Sequence, residues 1–153
     1  MDDFEIKLFN DTICTYSPDA GCFKGTIEWY EGCFVELFLL CSPYKPTDML
    51  LIKLAFESLY REREVWTRDA SNFSCDRFIP YFHHVVGSDD DLMDDMLQKL
   101  LIPWSVEFGI DGSYALAFES FSIGERQSNL IVIGQMGRGF TNLKDGGDNV
   151  PDV

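Results

Sequence analysis

The sequence predicts an α+β fold: a twisted antiparallel sheet, built from N- and C-terminal hairpins, with about three central helices packed on one face. Two observations predict it. Polar and apolar residues alternate as in strands over residues 4–41 and again over residues 104–143, whereas apolar residues recur at helical spacing between these two regions. Strands, then helices, then strands in one short chain are typical of α+β proteins.

The N-terminal part of the sheet is predicted as consecutive short strands. Residues 4–9 and 12–16 alternate in two short runs separated by a polar turn. Residues 22–30 alternate over a longer run, Glu31-Gly32 supplies a turn, and residues 33–41 return as a more buried strand. We therefore expect an antiparallel hairpin here.

Two helices are predicted to follow. Thr47 is a candidate N-cap for a helix over residues 48–66. A polar loop over residues 67–72 then precedes a helix over residues 74–84, and Pro80 is expected to bend or end it because proline costs about 3 kcal/mol inside a helix.

A third helix is predicted over residues 89–101, between a Gly-Ser cap and Pro103. Its apolar residues recur at the spacing of one buried stripe. The stripe comprises Leu92, Met93, Met96, Leu97, Leu100 and Leu101.

The C-terminal part of the sheet is predicted around Asp111-Gly112, the strongest two-residue hairpin signal in the chain. The strand before this turn alternates, with Trp104, Val106, Phe108 and Ile110 on one face. After the turn, residues 114–118 complete the hairpin, residues 124–129 form a polar loop, residues 130–133 form a central strand and residues 140–143 form an edge strand.

Length and composition indicate one domain. The chain has 153 residues, 46% of them hydrophobic, enough for a sizeable core. We expect the domain to span residues 1–143 and residues 144–153 to form a flexible acidic tail. The chain starts with acidic residues, no apolar stretch approaches the roughly 20 residues of a membrane span, and no Cys-x-x-Cys pair occurs. We therefore expect a cytoplasmic protein with reduced thiols and no cofactor.

The charge balance indicates the class of partner. Twenty-six acidic residues oppose twelve basic ones, for a net charge of −14. Nucleic acid and anionic membranes attract basic surfaces, so neither is an expected ligand. A basic protein, approached by electrostatic steering, is the expected partner.

The densest acidic run begins the third predicted helix, and its members are Asp89, Asp90, Asp91, Asp94 and Asp95. The helix dipole stabilises the first three. Asp94 and Asp95 lie beyond the first predicted turn, where five close carboxylates repel one another. Two interpretations stay open: a solvated helix face, or a docking patch for a basic protein. A calcium loop is not indicated, because the Asp-x-Asp-x-Asp-Gly spacing is missing.

Catalytic and metal signatures are incomplete. Adjacent His83 and His84 point in different directions on a helix, which suits a metal ion poorly. Residues 134–139 (GQMGRG) follow a strand but lack the Lys-Ser/Thr of a phosphate loop, so a bulged turn is expected. Cys75 with His83 is a conceivable thiol–base pair outside any protease signature. The three tryptophans are predicted core or core-rim residues, and one exposed beside acidic residues would be a binding anchor.

Parts of the chain resemble a bacterial family of uncharacterised domains. The resemblance rests on GTIEWYEGCFVELFL, on a helix ending near Trp66, and on the late hairpin WSVEFGIDGSYALAFES followed by LIVIG. It covers residues 12–143. The family pattern has an Asp-Asp-Gly turn with a following Gly-His, whereas this chain carries Glu119-Ser120-Phe121, so no catalytic residue can be transferred.

In size, acidity and fold class the chain is also similar to immunity proteins of contact-dependent growth inhibition and polymorphic toxin systems. This resemblance implies a non-enzymatic inhibitor that binds and neutralises a basic toxin domain, such as a nuclease, through an acidic surface. Two alternatives remain: a homo-oligomeric structural or regulatory domain, and a small enzyme using Cys75 and His83. The sequence does not define the oligomeric state.

Overall fold

The structure, a computed structural model, describes residues 4–8, 11–84 and 92–152. The described residues form eleven strands, which in chain order are β1 (Glu5–Lys7), β2 (Ile13–Ser17), β3 (Cys22–Tyr30), β4 (Cys33–Leu40), β5 (Pro103–Gly109), β6 (Ser113–Phe118), β7 (Phe121–Ile123), β8 (Arg126–Ser128), β9 (Leu130–Gln135), β10 (Gly139–Asp145) and β11 (Asp148–Asn149). They also form three helices, α1 (Pro46–Arg61), α2 (Arg63–His84) and α3 (Asp94–Leu100).

Nine strands form one sheet in the order β1-β2-β3-β4-β5-β6-β9-β10-β11, while β7 and β8 pair separately. Neighbouring strands are antiparallel except for β4 and β5, which run parallel. A parallel pair needs a long crossover connection, and the three helices supply it between β4 and β5. The predicted α+β fold, with a mostly antiparallel sheet, is therefore confirmed, and the parallel pair joins its two halves.

The core lies between the sheet and the helices. Its largest fully buried aromatic side chains are Trp29, Phe23, Phe56, Phe78, Phe82, Phe108 and Phe118. Phe56 on α1 meets Phe108 on β5 edge to face, with ring centroids 6.2 Å apart. The Trp29 indole N–H donates a hydrogen bond to Thr67 Oγ1 on α2 at 2.8 Å, so the buried ring has its polar partner. All five cysteines are free thiols, as expected.

The first helix differs from its predicted bounds. It begins with Pro46 in the first turn and with Lys45, not Thr47, as the N-cap residue, and no side chain caps it. Proline suits the first turn because its missing N–H has no intrahelical partner there. The helix ends at Arg61, so the prediction that it continues to residue 66 is wrong.

The second helix runs through the predicted loop. α2 is continuous from residue 63 to residue 84, although residues 67–72 read as polar loop. Thr67 and Ser71 are in fact buried, and Ser74 Oγ donates to the Ala70 carbonyl at 2.7 Å. Thr67 can face the core because the Trp29 indole bonds its hydroxyl, a partner that the sequence does not show, and Ser74 bonds within the helix.

Pro80 lies inside α2 and does not end it. The carbonyl that a helical proline leaves without a donor is that of residue i−4, here Asp76. Asp76 is exposed, so water can bond this carbonyl. The predicted boundary at Pro80 is therefore wrong, and the alternative of a bend there stays a prediction.

The third helix is shorter than predicted. It begins at Asp94, and Leu92 and Met93 precede it in extended form. Positions 85–91, which include Asp89, Asp90 and Asp91, lie outside the described residues. Only part of the predicted stripe is buried, since Met93 and Met96 are 58% and 49% exposed. One side of a seven-residue helix is enough to pack against α2, and both methionines lie off that side.

The C-terminal strands differ from the prediction in the register at the start of β5. β5 and β6 form the predicted hairpin, and Gly112 has the positive φ (86°) that its turn requires. A bulge between Pro103 and Ser105 makes Trp104 an extra residue, and its side chain is 55% exposed. The prediction that Trp104 and Ile110 share the buried face is wrong, since Ile110 is also exposed.

Two segments predicted as irregular are ordered. The predicted loop at residues 124–129 contains β8, which pairs with β7. The predicted tail contains the end of β10 and all of β11, and Val150 is only 5% exposed. Asp145 accepts hydrogen bonds from Arg126 Nη2 (2.8 Å), Ser128 Oγ (3.2 Å) and the residue 129 N–H (3.0 Å). This buried carboxylate fixes the segment, so the tail prediction is wrong for residues 144–150.

No helix in the described parts of the chain is long and apolar enough to cross a membrane.

Candidate functional site: an acidic helix surface beside an aromatic hollow

The structure describes two of the five predicted site residues. Asp94 and Asp95 occupy the first turn of α3, and both are exposed. Because α3 begins at residue 94, the helix dipole favours these two carboxylates as well. The prediction that Asp94 and Asp95 lie beyond the first turn of the helix is therefore wrong.

Packing of α3 on α2 brings Asp94 to a second acidic residue. Gln98 Nε2 donates to Asn72 Oδ1 at 3.0 Å and joins the two helices. Buried Cys75 lies between them. Its pKa is raised to about 12 by burial first, then by a hydrogen bond with Asp94 and by the charges of Asp94 and Asp76. The two carboxylates therefore flank one buried thiol, and Asp94 has a structural contact that the sequence did not reveal.

The exposed side of α2 carries a line of carboxylates. Glu62, Asp69 and Asp76 follow one another at seven-residue intervals, and all three are exposed. Seven residues are almost two helical turns, so the three side chains lie on one side, about 10.5 Å apart along the axis. Glu62 precedes α2 with non-helical dihedrals (φ −101°, ψ 18°), but its carbonyl accepts the Trp66 N–H at 2.9 Å and so begins the hydrogen bonding of the helix. We call these three residues the acidic ridge.

The carboxylates of this surface are absent from the ion pairs seen among the described residues. The ion pairs found there within 4 Å join Lys53 to Glu57, Arg77 to Asp152 and Arg126 to Asp145. None of them includes a residue of the acidic ridge, Asp94 or Asp95. Four exposed carboxylates on α2 and α3, together with Glu62 just before α2, thus take part in none of the ion pairs seen among the described residues.

An aromatic hollow of about 320 Å³ adjoins the acidic ridge. Trp66 and Tyr114 are its aromatic residues, with ring centroids 5.3 Å apart and planes at 86°. Trp66 lies four residues after Glu62 and three before Asp69, so it occupies the same flank of the helix. The hollow is lined by Ser58, Leu59, Glu62, Trp66, Tyr114, Met136, Gly137 and Gly139.

The turn between β9 and β10 forms one wall of the hollow. A Cβ atom on Gly134 would lie 2.5 Å from Tyr114 Cε1, so only glycine lets the aromatic ring pack against this strand. Gly137 and Gly139 have φ of 84° and 76°, which the turn requires. The register shifts between Phe140 and Asn142, so the predicted bulged turn is confirmed.

The floor of the hollow combines a neutral phenol with an N–H donor. Burial raises the pKa of Tyr114, the neighbouring Trp66 N–H lowers it, and the charge of Asp69 raises it. The Trp66 Nε1 atom is buried and does not reach hydrogen-bond geometry with any described acceptor, although it lies beside the Tyr114 hydroxyl. Aromatic faces beside carboxylates attract a cation.

The structure does not bring together the residues of the predicted thiol–base pair or of a metal site among the described residues. Cys75 and His83 are eight residues apart on one helix, about 12 Å along its axis. A buried thiol with its pKa raised to about 12 is also a poor nucleophile. In the described ranges, no three His, Cys, Asp or Glu side chains come together as metal ligands would. A ring nitrogen of His83 instead lies 3.3 Å from the Leu92 carbonyl.

Sequence reasoning missed the acidic ridge and the hollow. The seven-residue spacing from Glu62 to Asp76 was available in the sequence, but the predicted loop at residues 67–72 interrupted the helix that gives it meaning. Tyr114 and Trp66 are 48 positions apart, and only the sheet brings them together.

Comparisons with protein-family models, with curated proteins and with solved structures find no match for this chain.

Proposed function

We propose that this chain is a non-enzymatic cytoplasmic immunity protein, which binds and neutralises a basic toxin domain such as a nuclease through its acidic helix surface. The observation that carries the proposal is the alignment of the acidic ridge with Asp94 and Asp95 beside the aromatic hollow. The interface is protein–protein, and neither nucleic acid, membrane nor a cofactor takes part. Asp89, Asp90 and Asp91 adjoin it in sequence and belong to the proposed interface.

The charge arrangement favours a basic partner. Neighbouring carboxylates of the acidic ridge are about 10.5 Å apart, about one Debye length, so they repel one another weakly in the free protein, and Asp76 and Asp94, which flank Cys75, are the closer pair. A cationic surface relieves this repulsion on docking, and the field of a −14 chain accelerates encounter. Repulsion of other acidic proteins adds specificity.

The aromatic hollow supplies an anchor for the partner. An arginine or lysine stem can lie on Leu59 and Met136, with its charge near Glu62 and over the Trp66 ring. Binding energy in protein interfaces concentrates in such pockets, surrounded by weaker contacts. A toxin nuclease uses its basic surface to hold phosphates, so covering that surface would block its substrate.

The proposal is tested with a purified basic toxin domain, sought first in the adjacent gene. One variant neutralises the described carboxylates: E62Q/D69N/D76N/D94N/D95N. A matched control removes the same charge elsewhere on the exposed surface: D19N/E31Q/E119Q/E125Q/D148N. Stopped-flow association at low and high salt measures the on-rate.

We expect the first variant to lose more than tenfold in on-rate at low salt and to show a flatter salt dependence. The control should stay within about threefold of the parent chain, because net charge alone steers weakly compared with a local patch. Equal losses in the two variants, or no loss in either, would contradict the proposed interface.

A further inference from the structure

The sheet face opposite the helices is not uniformly polar. On β1, β2 and β3 the residues of this face are mostly polar or charged: Glu5, Lys7, Thr15, Lys24, Thr26 and Glu28. On β4, β6 and β9 they are mainly apolar: Phe34, Phe38, Leu40, Ala115, Ala117, Ile131 and Ile133. We call this second set the apolar patch.

An antiparallel sheet with one wet face normally alternates apolar-in and polar-out. The apolar patch departs from that rule on three strands that lie close together in the sheet, and Phe34 is 60% exposed. Shallow hollows of about 260 and 270 Å³ lie among Phe38, Glu107, Ala115 and Ala117, so small and large side chains give the surface relief. Such composition is typical of a sheet covered on both faces.

The open face is also nearly neutral. The described residues on it include four carboxylates and three lysines, in a chain whose net charge is −14. The carboxylates are Glu5, Glu28, Glu36 and Glu107, and the lysines are Lys7, Lys24 and Lys144. The excess negative charge therefore lies elsewhere, much of it on the helices at the opposite side. Repulsion between two copies is smallest when they meet through this face.

We propose that the open face is the interface of a symmetric dimer of this chain. This inference is independent of the toxin-binding proposal, since the acidic ridge stays outward on both copies. The register supports it. One row across the sheet consists of Lys24, Phe38, Glu107, Ala115, Ile133 and Asn142. The next row consists of Thr26, Glu36, Ser105, Ala117, Ile131 and Lys144.

The proposed two-fold axis runs parallel to the strands, between β5 and β6. It places each row of one copy over the same row of the other copy, with the β3 end of the row over the β10 end. Phe38 of one copy then meets Ile133 of the other, and Glu107 meets Ala115. Lys144 comes to lie over Thr26, beside Glu36 of the other copy. Like charges do not lie directly opposite one another, although the two Glu107 side chains flank the axis about 5 Å apart laterally, and the Glu36–Lys144 contact is an ion pair between copies.

The face is large enough for a stable dimer. Six strands spaced by about 4.8 Å, each about 20 Å long, give a projected area of about 580 Å². Side-chain relief raises the accessible area toward the roughly 800 Å² per partner of a standard interface. Aligned sheets pack about 10 Å apart, within reach of a Lys–Glu pair.

Sedimentation velocity of the full chain tests the dimer. We expect a species of twice 17.5 kDa at 100 µM, dissociating on dilution. A117E places a charge at the centre of the patch and should give a monomer, and F34S should weaken the dimer at least tenfold. T47E adds the same charge on the exposed first turn of α1 and should leave the dimer intact. Circular dichroism confirms the fold of each variant.

A charge swap tests the proposed axis. E36K should weaken the dimer at least fivefold, and E36K/K144E should restore it to within about threefold of the parent chain. A parent chain that stays monomeric at 100 µM, a dimer that A117E and F34S leave intact while folded, or a swap that restores nothing overturns the proposal. Toxin binding by a monomeric parent chain would leave the proposed function standing and this inference refuted.

Discussion

Removal of the acceptor for the buried Trp29 indole should destabilise the protein measurably. Trp29 is fully buried, and its N–H donates to Thr67 Oγ1 at 2.8 Å. Thr67→Val keeps the side-chain shape but leaves this donor without a partner. A buried unsatisfied donor costs about 1–3 kcal/mol, and replacing the buried hydroxyl with a methyl group offsets part of that, so we expect about 1.5 kcal/mol of lost stability. For a chain of this length that lowers Tm by about 3–6 °C.

The assay is urea unfolding followed by far-UV circular dichroism, combined with a double-mutant cycle. Trp29→Phe removes the donor, so Thr67→Val should cost less than about 0.5 kcal/mol in that background. The coupling between the two sites is then about 1 kcal/mol. An equal cost of Thr67→Val in both backgrounds would refute the reasoning, because the hydrogen bond would then contribute nothing specific.

Two further predictions concern other contacts. Gly134→Ala should cost at least 2 kcal/mol in urea unfolding, since its Cβ would overlap the Gly139 carbonyl oxygen of the backbone and meet Tyr114 at 2.5 Å. Gly25→Ala should cost less, because its nearest contact is the Cys14 sulfur at 2.8 Å and the Ile13 carbonyl oxygen lies farther away at 3.1 Å; the reverse order would contradict this. Burial raises the pKa of the Cys75 thiol from its ordinary value of 9.0 to about 12, so its contribution to stability is complete below pH 9 and is lost as pH rises from about 9 toward 12. Asp94→Asn removes a hydrogen bond and a charge that raise this pKa, so Cys75 alkylation at pH 9, measured by mass spectrometry, should be faster in D94N, and an unchanged rate would exclude the contact.

Local patterns in the sequence predicted the hairpins well. The β3–β4 and β5–β6 pairs form where turn residues separate alternating runs, because strand period and turn chemistry are short-range properties. They also predicted the α+β class and the bulged turn after β9. The bulge at Trp104 escaped prediction, since it depends on the length of the partner strand.

Polar residues on buried helix sides could not be recognised from the sequence. Thr67 reads as loop because its hydrogen-bond partner, Trp29, comes from the fold. The tail was misjudged for the same reason: Asp145 and Val150 look mobile until Arg126 and the core are placed beside them. Burial of a polar group depends on partners distant in the chain, and composition does not reveal them.

The sequence by itself determined the fold class, the acidity and the local turns, because these follow from composition and from contacts only a few residues apart. Tertiary structure decided how the two hairpins join, through the parallel contact of β4 with β5. It also decided which residues surround the carboxylates. Packing of α3 on α2 brings Asp94 to Cys75 and Asp76, and the sheet brings Tyr114 to Trp66 beside the acidic ridge. These juxtapositions join residues far apart in the chain, so only the packed molecule contains the proposed binding surface.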